Sequence, residues 1–179
     1  MKSTILVPID GSENSLRALD VAIELARAMK ANLELCAVVD TARMAKLTFG
    51  EPQLEGGAYD ALNGEAEMDL KTAVARLMAR GIEKPDTLVA CGDPATEIEL
   101  QADRCGASMI VMGTHGRTGL QHLVMGSVAE GVMRRATVPV VVVPPQRDRK
   151  ERAPRVRPRR IREISSLSAS RTEEQHSPT

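Results

Sequence analysis

Apolar positions along the chain fall into two alternating patterns: short continuous runs, and longer stretches where apolar residues recur every three or four positions. Thr4 to Ile9 (T-I-L-V-P-I) is the first run and suits a strand buried on both faces of a parallel sheet. Pro8 has no N–H for a ladder, so it belongs at the strand's C-terminal end. Asp10-Gly11-Ser12 then turns the chain, and Ser12 or Asn14 can cap a helix running to about Lys30. Its apolar stripe is Leu16, Leu19, Ala22, Ile23, Ala26 and Met29. Leu33 to Val39 reads as a second strand ending at Asp40. From Thr41 to about Ala58 the periodicity dissolves among Gly50, Pro52, Gly56 and Gly57, which predicts a mobile connection.

The second half repeats the alternation. A helix over about Tyr59–Arg80 turns Leu62, Ala66, Leu70, Ala73, Val74 and Leu77 inward, and Gly81 stops it. Thr87 to Cys91 is a third strand. Gly92-Asp93-Pro94 supplies a turn, a cap and a first-turn proline for a helix ending near Gly106. Ala107 to Met112 is a fourth strand, and a helix follows from about Gly126 to Arg135. Val138 to Val143 (V-P-V-V-V-V) is a fifth strand. Strands alternating with helices predict right-handed βαβ units: an α/β fold with an open five-stranded parallel sheet and helices on both faces. Ligands of such sheets gather beyond the strand carboxyl ends, where the strand order reverses. Asp10, Asp40, Gly92 and Gly113 fall at those ends, so Asp10 and the glycines after the fourth strand can share one crevice.

Between that strand and its helix, Gly113, Gly116, Gly119 and Gly126 punctuate the chain before Ser127. Glycine lets a ligand approach bare amides or lets φ turn positive, and a helix N-terminus offers unpaired N–H groups to an anion. The alternative is a flexible turn that only joins strand to helix. Asp10 is equally a turn or capping residue, or an acceptor for ribose hydroxyls that faces Mg²⁺ through water. His115 is either solvated or a phosphate contact, and Arg117, with a fixed charge and a fork of donors, suits phosphate better. No lysine lies between Lys84 and Lys150, so phosphate charge would be met by amides, Arg117 and a metal.

Composition narrows the field. Phe49 and Tyr59 are the only aromatic residues, so core and pocket must be aliphatic, which excludes the aromatic platforms of single-strand nucleic-acid binders. Cys36, Cys91 and Cys105 are odd in number and lie in no C-x-x-C, which favours reduced thiols over a disulfide frame or a zinc site. No stretch approaches a membrane span and the first apolar run is too short for a signal sequence, so a soluble, cytoplasmic protein is expected. Formal charge is zero, yet ten of the 24 Lys+Arg and only five of the 24 Asp+Glu lie from Arg147 onward. Residues 1–145 are therefore expected to form one acidic domain, and 146–179 a basic, disordered arm that is either solvated or recruits an anionic partner.

Neither G-x-x-x-x-G-K-[ST] nor G-x-G-x-x-G after the first strand is present. What stands instead is Gly113-x-x-Gly116, nine residues, then Gly126-Ser127, the G-x-x-G-x9-G-[ST] pattern. On this, on I-L-V-P-I-D-G-S, G-D-P-A, V-M-G-T-H-G-R-T-G-L, M-G-S-V-A-E and V-P-V-V-V-V-P, the chain resembles the ATP-binding universal stress proteins over Met1 to about Pro145. The resemblance implies a Rossmann-like, adenine nucleotide alpha hydrolase-like sheet that binds ATP (or AMP) with Mg²⁺. The implied contacts are Pro8, Asp10, Ser12, Val38, Met112, Gly113, His115, Gly116, Arg117, Gly126, Ser127 and Val128. Among these, Val38, Met112 and Val128 lie against the nucleotide, Ser127 adds a hydroxyl donor, and Asp10 faces the metal. It further implies a homodimer paired through the last strand. No Ser-His-Asp set has a recognisable signature, so the function expected is that of a nucleotide-dependent sensor or regulator in the stress response. The rivals are a slow ATPase or self-phosphorylating enzyme using Ser127 or Thr114, and a dimeric interaction module with the nucleotide as structural ligand.

Overall fold

The computed structural model describes residues 3–49, 51–83, 85–116 and 125–146. Strands β1 (Thr4–Pro8), β2 (Asn32–Asp40), β3 (Asp86–Gly92), β4 (Ala107–Gly113) and β5 (Val140–Val143) form one sheet in the order β3-β2-β1-β4-β5. Every neighbouring pair is parallel, with Val7 opposite Leu35, Val38 opposite Ala90 and Met112 opposite Val142. The chain therefore leaves β1 toward one edge and returns past it to β4, so the order reverses between β1 and β4.

Helices α1 (Glu13–Met29) and α3 (Glu55–Met78) cover one face, and α4 (Pro94–Arg104) and α5 (Ser127–Arg135) cover the other. Strand alternation divides the core accordingly. Ile5, Val7, Leu35, Ala37 and Val39 pack with Leu19, Ile23, Leu70 and Leu77, whereas Leu6, Cys36, Ile110 and Met112 pack with Ile98, Ala102 and Val132. Neither core contains an aromatic ring. Met29, expected inward, is exposed at the last turn of α1.

Local chemistry explains the helix ends. Ser12 caps α1, its Oγ accepting from Ser15 N at 3.1 Å, and Asp93 caps α4 ahead of Pro94 at the first turn. α1 and α3 are tied by Asp20, which accepts from Arg76 Nε at 2.8 Å and Nη2 at 2.6 Å while Arg80 Nη2 lies 2.9 Å away. The hydrogen-bonded Arg76 guanidinium holds the Asp20 carboxyl below its ordinary range against the opposing effect of burial.

The expected mobile connection over 41–58 is instead structured. Helix α2 (Thr41–Thr48), a 3-10 turn (Pro52–Leu54) and the first residues of α3 occupy it. Asp40 caps α2, its Oδ1 accepting from Ala42 N at 2.8 Å. Thr48 is buried and donates to Ala45 O at 3.1 Å, and Phe49 closes the helix at φ +50°. Thr48 is the one fully buried residue of α2, so the helix has no apolar stripe to announce it. Gly56 and Gly57 sit in the first turn of α3, where a Cβ would meet nothing within 4 Å.

β5 begins at Val140 rather than at Val138. Pro139 cannot donate to the ladder, although its carbonyl still accepts from Ile110 N at 3.0 Å. β5 is an edge strand of the sheet, as is β3. The expected basic arm lies outside the described residues, apart from Gln146.

Candidate functional site

A cavity of about 300 Å³ opens beyond the carboxyl ends of β1, β2 and β4, at the strand-order reversal. Its floor and walls come from both cores: Ile9 and Val39 from one, Met112, Ile98 and Ala129 from the other. Pro8, Val38 and Val128 join them, giving an aliphatic slot.

One end of the cavity is main chain. The N-terminus of α5 contributes Gly126, Ser127, Val128 and Ala129, and Gly126 caps it without any side-chain hydrogen bond. The first amides of a helix have no partner within it, so those of α5 face the cavity together with the positive end of the helix dipole. Gly126 N donates to Thr114 O at 2.7 Å, closing the segment after β4 back onto the strand end, and Thr114 N donates to Val143 O at 3.0 Å. The Thr114 hydroxyl is hydrogen-bonded to His115 Nδ1 at 3.0 Å.

The glycines are required here by space. Gly113, Gly116 and Gly126 are not among the positive-φ residues, so of the two roles expected for them, close approach and positive φ, the second does not apply. A Cβ at Gly116 would lie 2.5 Å from Asp10 Oδ2, one at Gly126 3.0 Å from Thr114 O, and one at Gly113 3.0 Å from the Asn14 backbone. Cβ contacts below about 3.0 Å essentially do not occur, so these three glycines pack on the protein's own atoms about as closely as a side-chain-free backbone allows.

Asp10 stands between these groups. Its Oδ1 accepts from Ser12 N at 3.1 Å and from Ser12 Oγ at 2.6 Å, and its Oδ2 faces Gly116. Ser12 itself does not line the cavity. Its hydroxyl is used to cap α1 and to orient Asp10, so the structure makes it a support for the site. Pro8, Asp10, Val38, Met112, Gly113, His115, Gly116, Gly126, Ser127 and Val128 all border one cavity, while Arg117 lies outside the described residues.

The opposite end is made of side chains, of which the sequence pattern does not reveal Arg43 and Asp69. Asp40 and Arg43 from the start of α2, and Leu62, Ala66 and Asp69 from α3, line it. Arg43 Nη1 donates to Glu65 Oε2 at 2.9 Å across the two helices. Among the described residues, Arg43 is the cavity's one Arg or Lys. No group of three or more metal-binding side chains occurs among the described residues. Asp10, whose Oδ2 faces Gly116, is a carboxylate at the glycine end of the cavity, and magnesium takes one or two carboxylates and leaves its other positions to water and phosphate. Burial pushes the Cys36 thiol up strongly and Cys105 up to about 11, which keeps both protonated.

A parallel doubly wound sheet with a glycine-lined, aliphatic crevice at its switch point defines a class, the open α/β ligand-binding domains. Within that class the universal stress protein family model matches residues 1–144, and the chain belongs to this family. It is 32% identical over 148 residues to the universal stress protein YxiE of Bacillus subtilis, covering 80% of this chain and 99% of the relative. In structure it resembles MJ0577 of Methanocaldococcus jannaschii with a TM-score of 0.71 and 28% identity, covering 83% of this chain and 99% of the other. A universal stress protein solved in complex with cAMP matches with a TM-score of 0.58 and 28% identity over 79% of this chain and 96% of that one. No described helix is long and apolar enough to cross a membrane.

Proposed function

We propose that the protein binds an adenine nucleotide, ATP with Mg²⁺ or AMP, in the cavity at the β1/β4 reversal, and acts as a nucleotide-dependent sensor or regulator in the cytoplasm. The observation that carries this reading is the α5 N-terminus, whose free amides face an aliphatic slot across the crowded glycines Gly113, Gly116 and Gly126. The relative solved with cAMP supports it. Phosphates would lie on the amides of Ser127 to Ala129, which follow the Gly126 amide that Thr114 O already occupies, with the Ser127 hydroxyl as an additional donor and Arg117 as a cation. The base would lie on Val38, Met112 and Val128. Mg²⁺ supplies charge neutralisation to the phosphates, and Asp10 would hold its water shell. The edge strand β5, three of whose four valines are only partly buried, would pair with a second copy to give a homodimer. The basic segment from Arg147 would contact an anionic surface. Mass spectrometry of small molecules released from the purified, denatured protein tests the central reading: adenine nucleotide in stoichiometric amount is expected. Its absence, together with no ATP binding by calorimetry, would refute it.

The hydrogen bond between Thr114 Oγ1 and His115 favours a second reading, self-phosphorylation. The Thr114 oxygen would attack the γ-phosphate and release ADP while His115 takes the hydroxyl proton. Label from γ-labelled ATP retained by the protein and lost in Thr114→Val is the expected signature, and unlabelled protein would exclude it.

A further inference from the structure

The far end of the cavity carries chemistry that the phosphate-binding half does not use. β1 separates β2 from β4 in the sheet, so with strands about 4.8 Å apart the end of β2 lies about 10 Å from the end of β4 that α5 adjoins. That is close to the length of a nucleoside. A nucleotide anchored by phosphate at α5 thus carries its base over Val38 toward Asp40, which follows Val38 by two positions and shares its face of the strand.

Few side chains there can accept a hydrogen bond from a base. Glu65 is engaged by Arg43, and Asp69 stands against the β1–α1 turn, where a Cβ on Gly11 would fall 2.2 Å from its Oδ1. Arg43 is donor-only. Asp40 is different. Asp40 lines the cavity, capping α2 occupies its Oδ1 alone, and Oδ2 has no hydrogen-bond partner among the described residues.

We propose that Asp40 is a specificity-determining residue that reads the exocyclic amine of the base. Its Oδ2 accepts from the N6 amine of adenine. An oxo group at that position, as in hypoxanthine or guanine, sets acceptor against acceptor and is rejected. The inference rests on the nucleotide reading above and adds to it a residue that selects the base.

The test compares AMP with IMP, which share ribose and phosphate and differ in the amine, by calorimetry on the full chain and on Asp40→Asn. Asparagine caps a helix as well as aspartate does, so α2 is retained, and its amide can donate to an oxo group. The unmodified protein should prefer AMP by about 10-fold, the scale of a hydrogen bond to a charged group at a partly solvated site. Asp40→Asn should abolish or reverse that preference, with an unchanged melting temperature in the absence of ligand. Equal affinities in the unmodified protein overturn the proposal. So does an Asp40→Asn variant that weakens both ligands by the same factor, which is what a residue acting only through the cap would give. An unmodified protein that binds neither AMP, IMP nor ATP overturns the nucleotide reading itself, and this inference with it.

Discussion

The two ends of the cavity are built by opposite means. At the α5 end the cavity is lined by main chain, at glycines whose missing side chains leave room for Asp10, Asn14 and Thr114. At the α2–α3 end it is lined by side chains, among them Asp40, held by a helix cap, and Arg43, held by an interhelical ion pair. A site made of backbone is rigid and unforgiving where an added atom meets main chain, as at Gly113 and Gly126. A site made of side chains can lose a member and re-form, so substitutions there should change preference more than they abolish binding.

The strongest way to break this contrast is at Gly126. Valine there places its Cβ 3.0 Å from Thr114 O and 3.5 Å from His115 Cα, backbone atoms with no freedom to withdraw. ATP affinity measured by calorimetry should fall on the order of 100-fold, the equivalent of an overpacking cost near the top of its usual range, with the circular dichroism spectrum preserved. Unchanged affinity in a folded variant would remove α5 from the site. Gly116→Ala should act less severely, by about 10-fold, since its Cβ meets a carboxylate oxygen of Asp10 that can rotate away. Loss of binding as complete as that of Gly126→Val would show that Asp10 is as immovable as the backbone.

On the other side of the comparison, Asp20→Asn loosens α3 from α1 without touching the glycine end. The folded-state carboxyl lies below its unfolded value, so the pair contributes stability above the unfolded pKa of about 3.9, and that stability is lost as pH falls through the folded value. Denaturant titration should find the variant about 1 kcal/mol less stable at neutral pH, for a charge-assisted pair that is partly solvated. The difference should close as the pH falls below about 4. A difference that persists in acid would assign the cost to packing. The smallest effect should come from Gly64, exposed within α3, where a Cβ meets nothing within 4 Å. Gly64→Ala should stabilise by about 0.5–1 kcal/mol through helix propensity, with nucleotide affinity unchanged. Glycine to alanine would then carry opposite consequences at Gly64 and at Gly116, which thermal melts of both variants can check.

The same contrast explains what was legible in the sequence. Continuous apolar runs such as Ile5–Val7 and Met109–Met112 stand out because both faces of a parallel strand are buried, and the sheet follows from their alternation with helices. A backbone-built cradle is written as glycine spacing, so Gly113, Gly116 and Gly126 are visible in the chain, although the reason for them, crowding by distant atoms of the protein, depends on long-range packing. Helix α2 was not visible because it buries little. With it went Arg43, whose place in the cavity depends on how α2 leaves β2 and meets Glu65 of α3. Ser12 was legible as a cap or a ligand contact, and only the position of Asp10 decides that its hydroxyl faces inward on the turn.

The aliphatic construction of core and cavity has a spectroscopic consequence. With no tryptophan and with Tyr59 and Phe49 both exposed outside the cavity, the polypeptide is almost dark in the near ultraviolet. A purine held between Val38, Met112 and Val128 would dominate the absorption of the purified protein. Its band would shift with the environment of the ring, unobscured by any neighbouring chromophore. Occupancy, exchange and release could therefore be followed directly on unlabelled material, with the ligand itself as the reporter.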